Sequence, residues 1–490
     1  MSADERGQHQ TFAEYRDATE RCAAGLMANG IEPGSTIAWQ FPTWIETLVL
    51  AAALARLDCI QVPLLPVYRE REIEYAVRTT SASWLIVPDE FGGRDLGLQA
   101  EQAIHGIETR LLCTDGRKLP TAPTGTLGEL RPTAEADDPV RWIFHSSGTT
   151  ADPKGALHTD RTLLAGGRAC AYSSRVRTAD RIAVPFPVSH IGGLVLLCMA
   201  LETGCANVLV ERFEPEQAVD LFAREGVTLA GAGPAFLLGY LSIQRAHPDR
   251  RVLPDVRAFT SGGAPKSPAL HAALRDEMGA GIVSSYGLTE CPNATGNAPD
   301  APDAKLANTE GLPNPGVELS VRAPDGSECP HGLVGELWLR GPQLCKGYVQ
   351  PELNIEAFDA NGFFRTGDLA SVDEDGFLQV VGRLKDVIIR KGENISAKEV
   401  EDLLEAHPQV LEAAVIGLPD EELGELCCAV VAAVDAGDPP AFVAIVDHLR
   451  GRGLTTYKLP ERLEVVTRLP RNASGKVLKR ELRDRYGKST

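Results

Sequence analysis

Ser146-Ser147-Gly148-Thr149-Thr150-Ala151-Asp152-Pro153-Lys154-Gly155 packs hydroxyls, glycines and one lysine into a single short run. Gly148 and Gly155 let the backbone turn its N–H groups inward, the hydroxyls add neutral donors, and Lys154 adds a positive charge. That is the composition of a loop that wraps phosphate oxygens. The order GxxxxGK[ST] is absent, so the loop is not of the Walker A type. Taken alone, a Ser/Thr/Gly-rich run also fits a plain surface loop.

Four more stretches follow in order: Tyr286-Gly287-Leu288-Thr289-Glu290, Thr366-Gly367-Asp368, Gly382-Arg383-Leu384-Lys385-Asp386 and Pro470-Arg471-Asn472-Ala473-Ser474-Gly475-Lys476. With the first run they resemble, in order and spacing, the AMP-forming adenylating superfamily of acyl-CoA synthetases, luciferases and peptide-synthetase adenylation domains, and most of all an acyl-CoA ligase. The resemblance spans residues 11–484. It implies a large N-terminal domain of stacked α/β sheets with a distorted β-barrel-like subdomain, over residues 1–384. A small, mobile α+β C-terminal domain over 385–490 then carries a catalytic lysine.

The chain's own patterning agrees. Segments 12–29 and 45–57 have helical periodicity, while 35–40, 84–88, 182–184, 207–210 and 258–260 are short apolar strands, an alternation that builds α/β layers with largely parallel sheets. After about residue 308, segments 317–321 and 335–340 alternate like half-exposed antiparallel strands. Beyond 382–386 come a helix at 397–406, strands at 411–417 and 427–434, and a helix at 442–451.

The resemblance also assigns roles. Ser146, Ser147, Gly148, Thr149, Thr150 and Lys154 would hold the β- and γ-phosphates of ATP. Gly263, Ala264 and Pro265, in the small-residue turn that opens at Ser261, would wall an adenine slot on which Tyr286 stacks. Gly287 belongs to the same nucleotide site, Thr289 would meet the α-phosphate, and Glu290 offers the hard oxygen that Mg²⁺ prefers. Asp368 can accept two ribose hydroxyls, with Arg383 on ribose or phosphate. Lys476 would stabilise charge developing in the transition state rather than act as a base. Lys385 matches a hinge about which the C-terminal domain turns, so that Lys476 leaves and the 390–395 loop enters; Lys391, Gly392, Tyr457 and Lys458 would then meet CoA. His190 would line an acyl pocket with Phe186, Ile191, Gly192 and Phe236 and take part in the thioester step. Two positions depart from the family's habit: Ala151 where glycine is common, and His145 where an aromatic is.

Composition sets limits. A chain of 490 residues exceeds one core, and its net charge of −18 disfavours nucleic acid and anionic membrane as partners. The 11 cysteines are scattered and form no CxxC pair, as expected of reduced thiols in a cytoplasmic protein. Met1-Ser2-Ala3-Asp4-Glu5 shows no basic region leading into an apolar one, and the apolar run from Leu48 is cut by Arg56 and Asp58 well short of the ~20 residues a membrane helix needs. No integral membrane association is expected, and a homodimer is left open.

The segment Pro185-Phe186-Pro187-Val188-Ser189-His190-Ile191-Gly192-Gly193 carries no acid. A buried substrate ammonium would lack a counter-charge there, which argues against an amino-acid substrate. The expectation is an apolar carboxylic acid, medium-chain fatty, alicyclic, aryl or sterol-derived, activated through acyl-AMP and passed to CoA with ATP, Mg²⁺ and CoA as cofactors. Two alternatives stay open: an acyl-AMP ligase that loads a carrier protein, and a non-catalytic adenylate-binding protein.

Overall fold

The computed structural model describes residues 2–129, 137–146, 153–391, 393–420, 422–472 and 475–487. Two sheets form the large N-terminal part. The six-stranded one takes parallel strands Thr36–Gln40, Ile60–Leu64, Trp84–Pro88 and Arg110–Thr114, together with the antiparallel pair Val140–Ser146 and Lys154–Thr159. In the nine-stranded one, Arg181–Val184, Ala206–Leu209, Leu229–Ala232, Ala258–Ser261 and Ile282–Tyr286 all run parallel.

Helices fill the space between the two sheets. Phe12–Ala28, Ile45–Arg56, Asp160–Ser173 and Ile191–Thr203 pack their apolar faces into one core with Trp39, Ile86 and Phe144 of one sheet and Val184 and Leu209 of the other. The far face of the larger sheet is covered by Pro215–Arg224 and Pro234–Ala246 through Phe222, Leu237 and Tyr240. Covered on both faces, the strands of this sheet are largely apolar rather than alternating, with Thr260, Ser261, Ser284 and Ser285 bringing in polar side chains toward the carboxyl ends.

The segments expected as helices and strands form within three residues of their sequence limits. An additional strand, Ser2–Asp4, pairs with Ala206–Leu209; too short and polar for periodicity to mark, it is held by tertiary pairing. The barrel-like subdomain is a four-stranded antiparallel sheet of Glu318–Arg322, Gly335–Arg340, Phe364–Val372 and Leu378–Arg383, interrupted by two register shifts. The smaller C-terminal domain has a five-stranded sheet with helices Ala397–Leu404 and Phe442–Gly451 on one face and Lys479–Tyr486 on the other. Among the described residues no helix is long and apolar enough to cross a membrane.

Candidate active site

The parallel strands of the larger sheet end on one edge, and the loops that leave them build a cavity of about 850 Å³. Lys154, Gly263, Gly287, Thr289, Glu290, Arg383 and Lys476 all line it, as do Phe186, His190, Ile191 and Gly192. The edge where parallel strands end at their carboxyl termini is where α/β proteins bind ligands.

Each side chain is held by its surroundings. Gly287 has to be glycine, because a Cβ there would sit 2.5 Å from the Asn293 nitrogen. This close approach folds Leu288–Cys291 into a tight turn and presents Thr289 and Glu290. From beneath, the fully buried His158 places Nε2 2.8 Å from the Thr289 carbonyl and Nδ1 2.9 Å from Thr162 Oγ1. Burial pushes His158 down to about 4, so it is neutral and its Nε2–H donates to that carbonyl.

Tyr286 and Asp368 lie just behind the cavity wall and form one network with Arg383, which lines it. Strand register sets Asp368 opposite Arg383, whose Nε lies 2.9 Å from Asp368 Oδ1. The Tyr286 hydroxyl donates to Oδ2 at 2.6 Å. Asp368 is 3% exposed and both its oxygens are engaged, so ribose hydroxyls would have to use their remaining lone pairs. Neither Tyr286 nor Asp368 contributes to the cavity lining itself; nor do Ala264 and Pro265.

Lys476 reaches the cavity from the C-terminal domain. Its turn is closed by Asn472, whose backbone N–H donates to the Lys476 carbonyl and whose Oδ1 accepts from the Lys476 N–H, both at 2.9 Å. Arg471 braces the turn through Glu412 at 2.6 Å and through the Gly475 carbonyl. Burial, reinforced by Arg383 and Lys385, pushes Lys476 down to about 8 against the pull of Asp368. Lys385, in the turn Leu384–Asp386, is pushed down to about 8 by burial and Arg383. Three cations thus share this corner with Asp368 and Asp386, an excess of positive charge suited to an anion.

His190 is the N-cap of Ile191–Thr203: its Nδ1 accepts from the Gly192 N–H at 3.1 Å, and the ring meets Phe186 edge-on. Burial pushes it down to about 4. With Nδ1 accepting, the proton of the neutral ring is on Nε2.

Other candidates lie elsewhere. Phe236 does not line the cavity; it packs edge-on against Phe213 in the core and abuts Gly475. Lys391, Tyr457 and Lys458 also lie outside the lining: Tyr457 packs on the C-terminal core and Lys458 pairs with Glu399 at 2.6 Å. Ser147, Gly148, Thr149, Thr150 and Gly392 lie outside the described residues, and Ser146 ends its strand.

Sequence reasoning missed Tyr348 and His158, and left Ser261 without a role of its own. Ser261 Oγ is buried, lines the cavity and has no partner among the described residues. Tyr348 donates its hydroxyl to Glu290 Oε1 at 2.6 Å. Their sequence signals are weak, because a lone histidine or tyrosine in an apolar setting is usually core. Among the described residues no three His, Cys, Asp or Glu side chains gather to hold a metal. Glu290, buried with no cationic partner among them, fits a Mg²⁺ ion that takes one carboxylate and fills its shell with phosphate and water.

Residues 2–349 match the AMP-binding enzyme family, and residues 399–476 match the AMP-binding enzyme C-terminal domain. The chain is 32% identical over 495 residues to the medium-chain fatty-acid–CoA ligase of Escherichia coli K12, covering 98% of this chain and 86% of that one. It is 33% identical to a feruloyl-CoA synthase of Amycolatopsis, covering 98% and 95%. Among solved structures, ATP-bound MatB from Rhodopseudomonas palustris superposes with a TM-score of 0.88 at 29% identity, covering 99% of this chain and 95% of that one. Apo MatB gives 0.78. The chain belongs to the AMP-binding enzyme family and is an acid–thiol ligase.

Proposed function

We propose that the protein is an ATP-dependent acyl-CoA ligase that activates an apolar carboxylic acid of about eight to ten carbons, or a ring system of similar length. The observation that carries this is a single cavity holding both a cationic corner and an apolar slot. From Phe186 and Gly192 the slot continues between the sheet and two helices, lined by Ile182, Leu229 and Val283 below and Val195, Leu196 and Met199 above. Its depth can be read on two rulers. Leu229 lies three residues before Ala232, about 10 Å at the rise of a strand. Met199 lies seven residues beyond Gly192, again about 10 Å at the rise of a helix. With C–C bonds of about 1.5 Å, an extended chain advances about 1.25 Å per bond, which sets the length above.

In the first step a carboxylate oxygen attacks the α-phosphorus of ATP and the bond to the bridging oxygen breaks, so that pyrophosphate leaves with the electron pair. Lys476 places its ammonium where that charge develops, and Arg383 and Lys154 complement the phosphates. A Mg²⁺ ion held by Glu290 would neutralise phosphate charge when bound. His190, with its proton on Nε2, offers a donor at the mouth of the slot to the carboxyl oxygen that does not attack. In the second step the CoA sulfur attacks the acyl carbonyl, the thioester forms and AMP leaves. Once the C-terminal domain turns about Lys385, Lys391, Gly392, Tyr457 and Lys458 would meet CoA; before that turn Lys476 lines the cavity. The closer fit to ATP-bound than to apo MatB supports reading this arrangement as the adenylating one.

Pyrophosphate release by the purified chain, assayed across fatty, alicyclic, aryl and sterol-derived acids with and without CoA, tests the proposal. Sustained release that needs CoA and peaks near the stated length supports it. A preference for short or charged acids would refute the slot assignment.

A further inference from the structure

Lys154 and Glu290 carry opposite charges and line the same cavity, yet among the described residues no carboxylate lies within ion-pair distance of Lys154 and no cation reaches Glu290. Two such groups in a poorly solvated site gain energy by collapsing onto each other. Tyr348 stands between them. Its hydroxyl donates to Glu290 Oε1 at 2.6 Å, and the Lys154 ammonium lies 5.3 Å from its ring centroid, within cation–π range. The ring is 4% exposed and lines the cavity.

The backbone around Tyr348 ties it to both charged residues. The Leu157 N–H donates to the Gly347 carbonyl at 2.8 Å, and the Val349 and Lys346 N–H groups donate to the Gly155 and Leu157 carbonyls at 2.9 and 2.7 Å. The segment is thereby zipped to the strand that begins at Lys154. On the other side the Cys345 N–H donates to the Glu290 carbonyl at 2.8 Å. Glycine is needed at two points of this seam. A Cβ on Gly155 would meet Val349 at 2.9 Å, and Gly347 has φ +118 with Asn354 Oδ1 2.8 Å from where its Cβ would be. That same Oδ1 accepts from the Tyr348 N–H at 2.8 Å.

We propose that Tyr348 is a positioning residue: it fixes the Glu290 carboxylate with Oε2 free for a divalent cation, and it holds the Lys154 ammonium apart so that the empty site does not neutralise itself. The proposal rests on the reading of the cavity as an ATP site. It goes beyond that reading by assigning the metal-side geometry to Tyr348.

The test uses the full chain, ATP without acid, and Mn²⁺ as the probe, with bound Mn²⁺ read by electron paramagnetic resonance. Tyr348→Phe keeps the ring and removes only the hydroxyl. Losing one hydrogen bond to a charged group should weaken Mn²⁺ binding roughly tenfold, while ATP affinity in EDTA stays native. In a Glu290→Gln background the same substitution should cost nothing further, because the partner it acts through is gone. Native Mn²⁺ affinity in Tyr348→Phe, or an equal loss with and without Glu290, overturns the proposal. Failure of the native chain to bind Mn²⁺·ATP at all would instead overturn the ATP reading beneath it.

Discussion

At Lys476 the chain sets an ammonium into a buried corner already occupied by Arg383, and the pKa of the lysine falls to about 8 from its ordinary 10.5. Between those values the folded chain holds one proton fewer than the unfolded chain, so stability from this group rises with pH while the charge proposed to serve adenylation is lost. Acyl-AMP formation should therefore decline above about pH 8, with log kcat/KM for ATP falling on a single ionisation. Lys476→Arg, whose guanidinium stays charged, should remove that decline even if its absolute rate is low. Lys476→Ala should reduce adenylation by about 10²–10³-fold and leave thioester formation from supplied acyl-AMP largely intact. Equal loss in both half-reactions would contradict the role given to this lysine. The place of Lys476 at the cavity was legible in the sequence, because a lysine after a Pro…Gly turn completes the motif order. The pairing of Asp368 with Tyr286 and Arg383 was not, since strand register and a contact across 82 residues create it.

At the scale of elements, the proposed slot depends on the helix Ile191–Thr203 lying over strands that present Ile182, Leu229 and Val283. Leu229 lines it as the first residue of the strand Leu229–Ala232. Leu229→Trp should shorten the slot and lower kcat/KM for decanoic acid by about tenfold or more relative to hexanoic acid. The ratio of the two acids separates this from any general cost of overpacking. An unchanged ratio would place the acyl chain elsewhere. Apolar strand runs and helical periodicity made these elements readable, but periodicity does not tell which face of a helix meets a ligand. Phe236 illustrates the gap. It shares a helical face with Tyr240, one turn on, and that face is buried against Phe213 and Phe222 rather than turned to the cavity. The Tyr348 segment was hidden for another reason: its partner strand lies almost two hundred residues earlier, and only Gly155 and Gly347 hint that two backbones meet there.

For the whole molecule, the two domains meet through a buried charged seam. Ser396, which caps the helix Ala397–Leu404, also donates to the Val381 carbonyl at 2.8 Å. Lys266 of the large domain donates to the Thr309 carbonyl at 2.9 Å and feels Lys398 and Asp402 across the seam. Glu405 faces the Ser267 hydroxyl, Asp402, Glu401 and Lys398, and burial pushes it up to about 7. Its raised value means that the stability linked to its proton is complete below the ordinary 4.5 and is lost as pH climbs through about 7. Glu405→Gln should thus melt higher than the native chain at about pH 8 and nearly level with it at about pH 5, as followed by calorimetry. A lower melting temperature at both would show that the carboxylate itself holds the seam. The two-domain plan could be read from the change of pattern after residue 382; the seam could not, because its members are scattered surface-type residues until folding brings them together.

The most direct measurement is a single-turnover experiment with decanoic acid and ATP, followed by addition of CoA. The account predicts a burst of enzyme-bound acyl-AMP with matching pyrophosphate, then full conversion to acyl-CoA and AMP when CoA arrives. Acyl-AMP that CoA leaves untouched while a phosphopantetheinylated carrier protein consumes it, or no acyl-AMP from any apolar acid, would contradict it.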